Sequence, residues 1–236
     1  MEPKVIFEDD SLLILDKPPG WIVNEAATTK RTPVVQSWVK ANYQFETAES
    51  RRYRSGIVHR LDKETSGLLV IAKQEEVFSF LQKQFKQREV KKVYTALAHG
   101  NVEPEEETIK VPVGRLMWNR ERFGVMPGGR KAETRYLLVS RFMARKSKET
   151  FSMLELYPKT GRTHQIRIHL KYIGHPIVAD EFYAGRKRAR QDRTWCPRLF
   201  LHASGIEFKH PKTGKRIKFT SELPEDLKNS LDNLEK

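Results

Sequence analysis

No regular strand–helix–strand repeat can be laid over this chain, and that irregularity constrains its fold more than any other feature. Strand-like runs fall at residues 5–7, 12–15, 68–72, 91–98, 108–113, 134–140, 151–156, 199–202, 206–209 and 216–220. Helical patterns open near residue 33, at 75–88, at 161–163 and at Pro224. Strands and helices mixed in this way argue for an α+β fold, with a mixed or antiparallel central sheet flanked by helices and loops. Neither a linker nor an internal repeat interrupts the 236 residues, so a single domain over 1–236 is expected.

The local patterns are specific. Glu8-Asp9-Asp10-Ser11 turns the first two strands, and Lys17-Pro18-Pro19-Gly20 ends the second. Over 75–88, Phe78, Leu81 and Phe85 follow helical spacing, with lysines and glutamines on the other face. That stripe is core. Residues 91–98 alternate as a strand does. In the later helix, with Thr163 or Arg162 near its start, Ile166, Leu170 and Ile173 form the buried stripe. Arg167 is expected off that stripe, together with His164 and Lys171.

One polar stretch stands out. Residues 59–67 read HRLDKETSG and run straight into the apolar LLVIAK. Apolar residues end at Leu61 and resume at Leu68, so the segment between is expected to be a loop beside a sheet, where a scaffold can present a reactive side chain. Asp62 lies there between Arg60 and Lys63. An isolated aspartate is ordinarily a loop cap or surface ion pair. Three further basic stretches read two ways. Arg51, Arg52 and Arg54 around Tyr53 suit either phosphate and base contact or a solvated loop. The long loop at 118–132, which includes Arg130, is either functional or a mobile solvated segment. RKRARQDR at 186–193 is either a solvated turn or an RNA contact.

Lys and Arg total 44 against 30 Asp and Glu, a net charge of +14. Such an excess favours a polyanionic partner, and nucleic acid over membrane, because no apolar run approaches the ~18 residues of a spanning helix. The lone cysteine, Cys196, allows no internal disulfide and suits a reducing compartment. The charged N-terminus carries no signal-like apolar segment, so a cytoplasmic protein is expected. His164 and His169 are five apart and miss the spacing of a helical zinc pair, and no Gly-rich nucleotide motif or serine elbow occurs. No metal and no cofactor are expected. If the chain is an enzyme, carboxylate chemistry at Asp62 is what remains. A carboxylate nucleophile must stay ionised, and an arginine partner, Arg167 or Arg162, serves that need.

HRLDKETSG closely resembles the signature of the RluA-type RNA pseudouridine synthases. The resemblance extends to DDSLLILDKPPG (9–20), KKVYTAL (91–97), KTGRTHQIRIHL (159–170), GHPIVADEFY (174–183) and RLFLHA (198–203). It implies isomerisation of uridine to pseudouridine in a pseudouridine synthase fold with a central RNA-binding cleft. It implies Asp62 as nucleophile, Tyr94 as the tyrosine that stacks on the target base, and Arg167 as the arginine paired with the aspartate. Arg60 matches the residue that helps fill the gap left by the flipped nucleotide. His59, Arg162, Lys17 and Arg130 are the further RNA-binding candidates. The partner is then ribosomal or transfer RNA, with no membrane and no small-molecule cofactor, and the protein is expected to be a monomer.

Two features depart from the pattern. The blocks start within the first ten residues, so no N-terminal domain of the S4 type is expected, and WIVNEAATTK lacks the His-Pro that many relatives carry there. Two rival readings remain. An RNA-binding or assembly factor without catalysis predicts loss of Asp62, Tyr94 or Arg167, all of which are present. A carboxylate hydrolase needs a second acid across the site.

Overall fold

The computed structural model describes residues 1–26, 29, 32–117, 122–145 and 147–236. In chain order the first elements are β1 (Lys4–Glu8), β2 (Leu12–Lys17), α1 (Val35–Asn42), a 3-10 turn (Arg54–Gly56), β3 (Ser66–Ala72) and α2 (Glu75–Gln87). There follow β4 (Lys91–His99), β5 (Glu106–Ile109), β6 (Val113–Arg115), β7 (Phe123–Val125), β8 (Thr134–Ala144) and β9 (Thr150–Pro158). The chain continues with α3 (Gln165–Tyr172), α4 (Arg186–Asp192), β10 (Leu201–Lys209), β11 (Arg216–Thr220), α5 (Glu225–Leu231) and β12 (Leu234–Glu235). Two compact units are built from them: residues 1–91 with 203–221, and residues 92–202 with 222–236.

In the first unit β2 pairs antiparallel with β1 and β3, β10 flanks β3, and β11 closes on β10 as a hairpin. The β1–β2 turn is made by Asp9, whose Oδ1 accepts the Ser11 and Leu12 N–H groups, both at 2.7 Å. This is the local side-chain turn that aspartate favours. Every residue of β3 is buried, which is why it reads as an unbroken apolar run rather than an alternation. Val77 and Leu81 of α2 join Leu12, Ile14, Leu68, Val70, Ile206 and Phe208 in one core, with Phe78 and Phe85 packed at its edge.

In the second unit the strand order is β4-β9-β8-β12, with β5 added to β8. A register shift between Leu138 and Ser140 marks a bulge in β8. β6 and β7 form a separate two-stranded ribbon. It packs on α3 through Val113, Phe123, Val125 and Ile168. The main core gathers Leu97, Tyr136, Phe151, Leu154, Leu156, Ile166, Leu170, Phe200 and Leu227.

Several expectations change. The 118–132 stretch is not all loop, since β7 and its bridge to β6 lie within it; residues 118–121 fall outside the described residues. The strand expected at 108–113 is two, β5 and β6. The 186–193 stretch is the helix α4, with Ala189 and Asp192 turned inward. The two strands expected at 199–202 and 206–209 are one, β10. α3 starts at Gln165, after His164 in a left-handed conformation at φ 55°. It starts late because the Gln165 side chain organises the preceding segment. Its Oε1 accepts from Thr160 Oγ1 at 2.7 Å and from the Arg162 N–H at 3.0 Å, and its amide donates to Glu133 O and Thr134 Oγ1.

Candidate active site

The loop that carries Asp62 is tied down at both ends. Gly67, the second residue of β3, has φ +116°, and a Cβ there would lie 2.4 Å from the Ala203 carbonyl oxygen on β10. No side chain fits such an approach, so the glycine of HRLDKETSG is a packing requirement. Asp62 is half-buried, and its carbonyl accepts the Thr65 N–H at 3.2 Å, closing a tight turn. The carbonyl of Lys63 accepts the Gly20 N–H at 2.8 Å and the Lys17 ammonium at 3.2 Å.

Lys17, expected among the RNA contacts, is wholly buried, and its ammonium also donates to Pro18 O and Trp21 O. The KPPG segment and the Asp62 loop are thereby held together by a cation at backbone carbonyls, a task that leaves no mark in sequence. His59, another expected RNA contact, accepts the Val70 N–H at Nε2 (3.0 Å) and stacks on Phe85 of α2 at 5.0 Å between ring centroids. Arg60 is exposed on the same loop.

The second unit holds Tyr94, Arg167, Arg162 and Arg130. Tyr94 lies half-buried on β4, opposite Leu156 of β9 and at the margin of the core. Arg167 is not on an open face of α3 but is 5% exposed. Its Nε and Nη2 donate to Oδ2 and Oδ1 of Asp180 at 2.7 and 2.8 Å. This fork is fixed in its plane, because Asp180 Oδ1 also accepts the N–H groups of Phe182 and Tyr183 at 3.0 and 3.1 Å. The Tyr183 and Phe182 rings lie 5.0 and 5.4 Å from the guanidinium carbon. Arg162 donates from Nε to Lys131 O at 3.3 Å. Arg130 is exposed, its backbone bridged to Val113.

Two backbone positions beside this pair are costly for residues other than glycine. His164 and Ala179 have φ of 55° and 59°. Strain of that kind gathers at sites that the surrounding structure overdetermines. Here the supports are visible. Tyr183 Oη donates to Phe123 O at 3.1 Å, which leaves it to accept from His164 Nδ1 at 2.9 Å. The Ala179 N–H donates to buried Asp192 of α4 at 2.8 Å, and that same oxygen faces His99 Nε2 at 3.0 Å.

Sequence reasoning missed Asp180, Gln165 and Asp192, each of which has a partner distant in the chain: Arg167, Glu133 and His99 in turn. It also missed Lys92, two residues before Tyr94, whose ammonium burial pushes down to about 8. Its Nζ donates to Thr160 O at 3.4 Å. Among the described residues no helix is long and apolar enough to cross a membrane, and no cluster of three or more His, Cys, Asp or Glu is placed to hold a metal.

Residues 11–172 match the family model described as RNA pseudouridylate synthase. The chain belongs to that family. It is 35% identical over 236 residues to an uncharacterized RNA pseudouridine synthase of Bacillus subtilis, covering 100% of this chain and 74% of the relative. It is 37% identical over 235 residues to the ribosomal large subunit pseudouridine synthase D of Pseudomonas aeruginosa, covering 96% and 70%. The fold matches that of human RNA pseudouridylate synthase domain containing 4, at a TM-score of 0.73 and 22% identity over 98% of this chain and 94% of that one. The RluA-type resemblance and the α+β fold expected from the sequence are borne out. As a member of this family the protein is an isomerase that acts on RNA.

Proposed function

We propose that this synthase isomerises uridines in structured RNA, with Asp62 as nucleophile, Tyr94 as the base-facing phenol and Arg167 as the partner of the reacting carboxylate. The observation that carries the reading is the Asp62 loop itself, a turn clamped by Lys17 and by the glycine approach at β3 within a chain of this family. A carboxylate held on so rigid a loop suits a nucleophile that must meet one atom of a flipped nucleotide.

The reaction breaks the N1–C1′ bond and forms C5–C1′; C5 loses a proton and N1 gains one, so no redox partner or external group enters. Asp62 reacts as the carboxylate, whether it first meets the base, C1′ or a ribose proton. Tyr94 offers a π-face to the base and a phenolic oxygen to the C5 proton. Arg60, exposed on the same loop as Asp62, fills the space the uridine vacates. Arg162 and Arg130 contribute phosphate contacts, and affinity falls steeply with salt. Large-subunit ribosomal RNA is the first substrate to test, because several relatives bear that name; transfer RNA is the second. The same reading makes the protein a cytoplasmic monomer.

Pseudouridines are mapped in total RNA from cells with and without the gene, then after rescue with the wild type or Asp62→Asn. The expected result is a site that vanishes and returns only with the wild type, while purified Asp62→Asn still binds the transcript. Rescue by Asp62→Asn would remove Asp62 from the chemistry.

A further inference from the structure

Phe182 is a large apolar side chain left 48% exposed. Single exposed apolar residues need no explanation by themselves, but the surroundings of this one are unusual. Its backbone N–H donates to Asp180 Oδ1, so the ring is carried by the same carboxylate that holds Arg167. The Arg167 guanidinium carbon is 5.4 Å from the ring centroid, and the His164 ring lies 6.0 Å away, inclined by 52°. Four residues further on begins α4, whose Arg186, Lys187, Arg188 and Arg190 are all exposed. Ala189 and Asp192 of that helix turn inward, and Asp192 pins it to the Ala179 N–H. The result is an aromatic ring with a guanidinium beside it, followed four residues on by a helix of exposed cations, of which Arg188 is paired with Glu149 at 3.2 Å.

We propose that Phe182 is a stacking platform for a nucleobase flanking the target uridine, with the α4 cations taking the adjoining phosphates. An aromatic face accepts any base, because every base has a π-face, and neighbouring cations track the backbone. A protein partner would call for a broader apolar patch without this density of positive charge. Arg167 is itself buried, so the ring, rather than the guanidinium, is the surface offered. Proximity of Phe182 to Arg167 places the stacked base beside the reacting nucleotide. The inference rests on the RNA reading above and adds a subsite to it.

The test uses the full chain and an RNA transcript carrying 2-aminopurine at positions on either side of the target uridine. In wild type one flanking position is quenched on binding; in Phe182→Ala that quenching is lost and KM rises roughly 5- to 150-fold, with kcat changing far less. Phe182→Tyr restores both readouts and Phe182→Leu restores neither. Wild-type behaviour of Phe182→Leu would overturn the proposal, because an apolar cover would then suffice. So would a fall in kcat at constant KM, which would make Phe182 a prop for Arg167. The quenching needs binding and not turnover. A wild type that quenches without isomerising therefore sinks the catalytic reading alone, and one that isomerises without a Phe182-dependent quench sinks only this subsite.

Discussion

Asp180→Asn separates the charge of the Arg167–Asp180 pair from its shape. The two side chains are 6% and 0% exposed, so the guanidinium has little water to fall back on. Asparagine keeps one oxygen, enough for the Phe182 and Tyr183 N–H groups and for Nη2. Its amide nitrogen then faces the Nε–H where Oδ2 now accepts at 2.7 Å. The buried guanidinium loses the charge of Asp180 and meets a donor instead of an acceptor at Nε. Removing one member of a buried pair costs about 3–5 kcal/mol. For a chain of this size that corresponds to a fall in Tm of roughly 6–20 °C. Calorimetric melts of the wild type, Asp180→Asn, Arg167→Met and the double variant Arg167→Met with Asp180→Asn close the cycle. The double variant is expected to recover most of the stability lost in Asp180→Asn, since the buried cation is gone and the asparagine oxygen still accepts the Phe182 and Tyr183 N–H groups. It recovers no isomerase activity. An Asp180→Asn protein melting within about 1 °C of wild type would refute the reasoning, because the bidentate charge would then contribute nothing.

Two further outcomes follow from other parts of the molecule. Gly67→Ala forces a Cβ to 2.4 Å from Ala203 O and is expected to cost at least ~3 kcal/mol, read as loss of soluble protein or a lowered denaturation midpoint; an unchanged midpoint would mean the approach is not needed. Burial holds His169 neutral in the fold, its pKa pushed down to about 4 from the ordinary 6.5. The unfolded chain therefore binds the extra proton first as pH drops. Stability is full above pH 6.5 and is lost between there and about 4, by up to roughly 3 kcal/mol. His169→Gln should flatten the dependence of Tm on pH in that window, and an equally steep profile would assign the loss elsewhere.

Much of the fold was legible where one period dominated. α2 and β4 could be read because their apolar residues repeat near 3.6 or alternate, and β1 and β2 because two short apolar runs flank the turn at 8–11. What escaped notice depends on partners far along the chain. β10 looked broken at Ala203-Ser204-Gly205, whereas Gly67 packs directly against the Ala203 backbone. α4 has no apolar stripe, and its anchor is a single aspartate turned to His99 and Ala179. α3 looked longer because nothing in KTGRTHQ reveals that the glutamine side chain takes up the bonds of the preceding turn. At the site, Asp62 and Arg167 are candidates from their chemistry, and the family resemblance adds Tyr94 and the proposed roles. The geometry around Arg167 was not legible, because the pairing with Asp180 joins two blocks that sequence pattern alone leaves unconnected. Lys17 looked like a phosphate contact for the same reason: the carbonyls it serves are backbone, and any residue can supply them.

The first unit is discontinuous: the chain leaves it after Lys91 and returns at Ala203. β3, buried along its whole length, has β2 on one side within moments of synthesis, but its other neighbour, β10, emerges more than a hundred residues later. At bacterial or eukaryotic elongation rates that gap is roughly 7–25 s. For that interval the nascent chain exposes an apolar strand edge, the kind of surface that chaperones cover and that stray strands find. The Gly67 approach to Ala203 is likewise formed only late in synthesis. A ribosome-bound fragment ending before residue 203 would therefore carry the Asp62 loop with its Lys17 contact but without the Gly67–Ala203 approach.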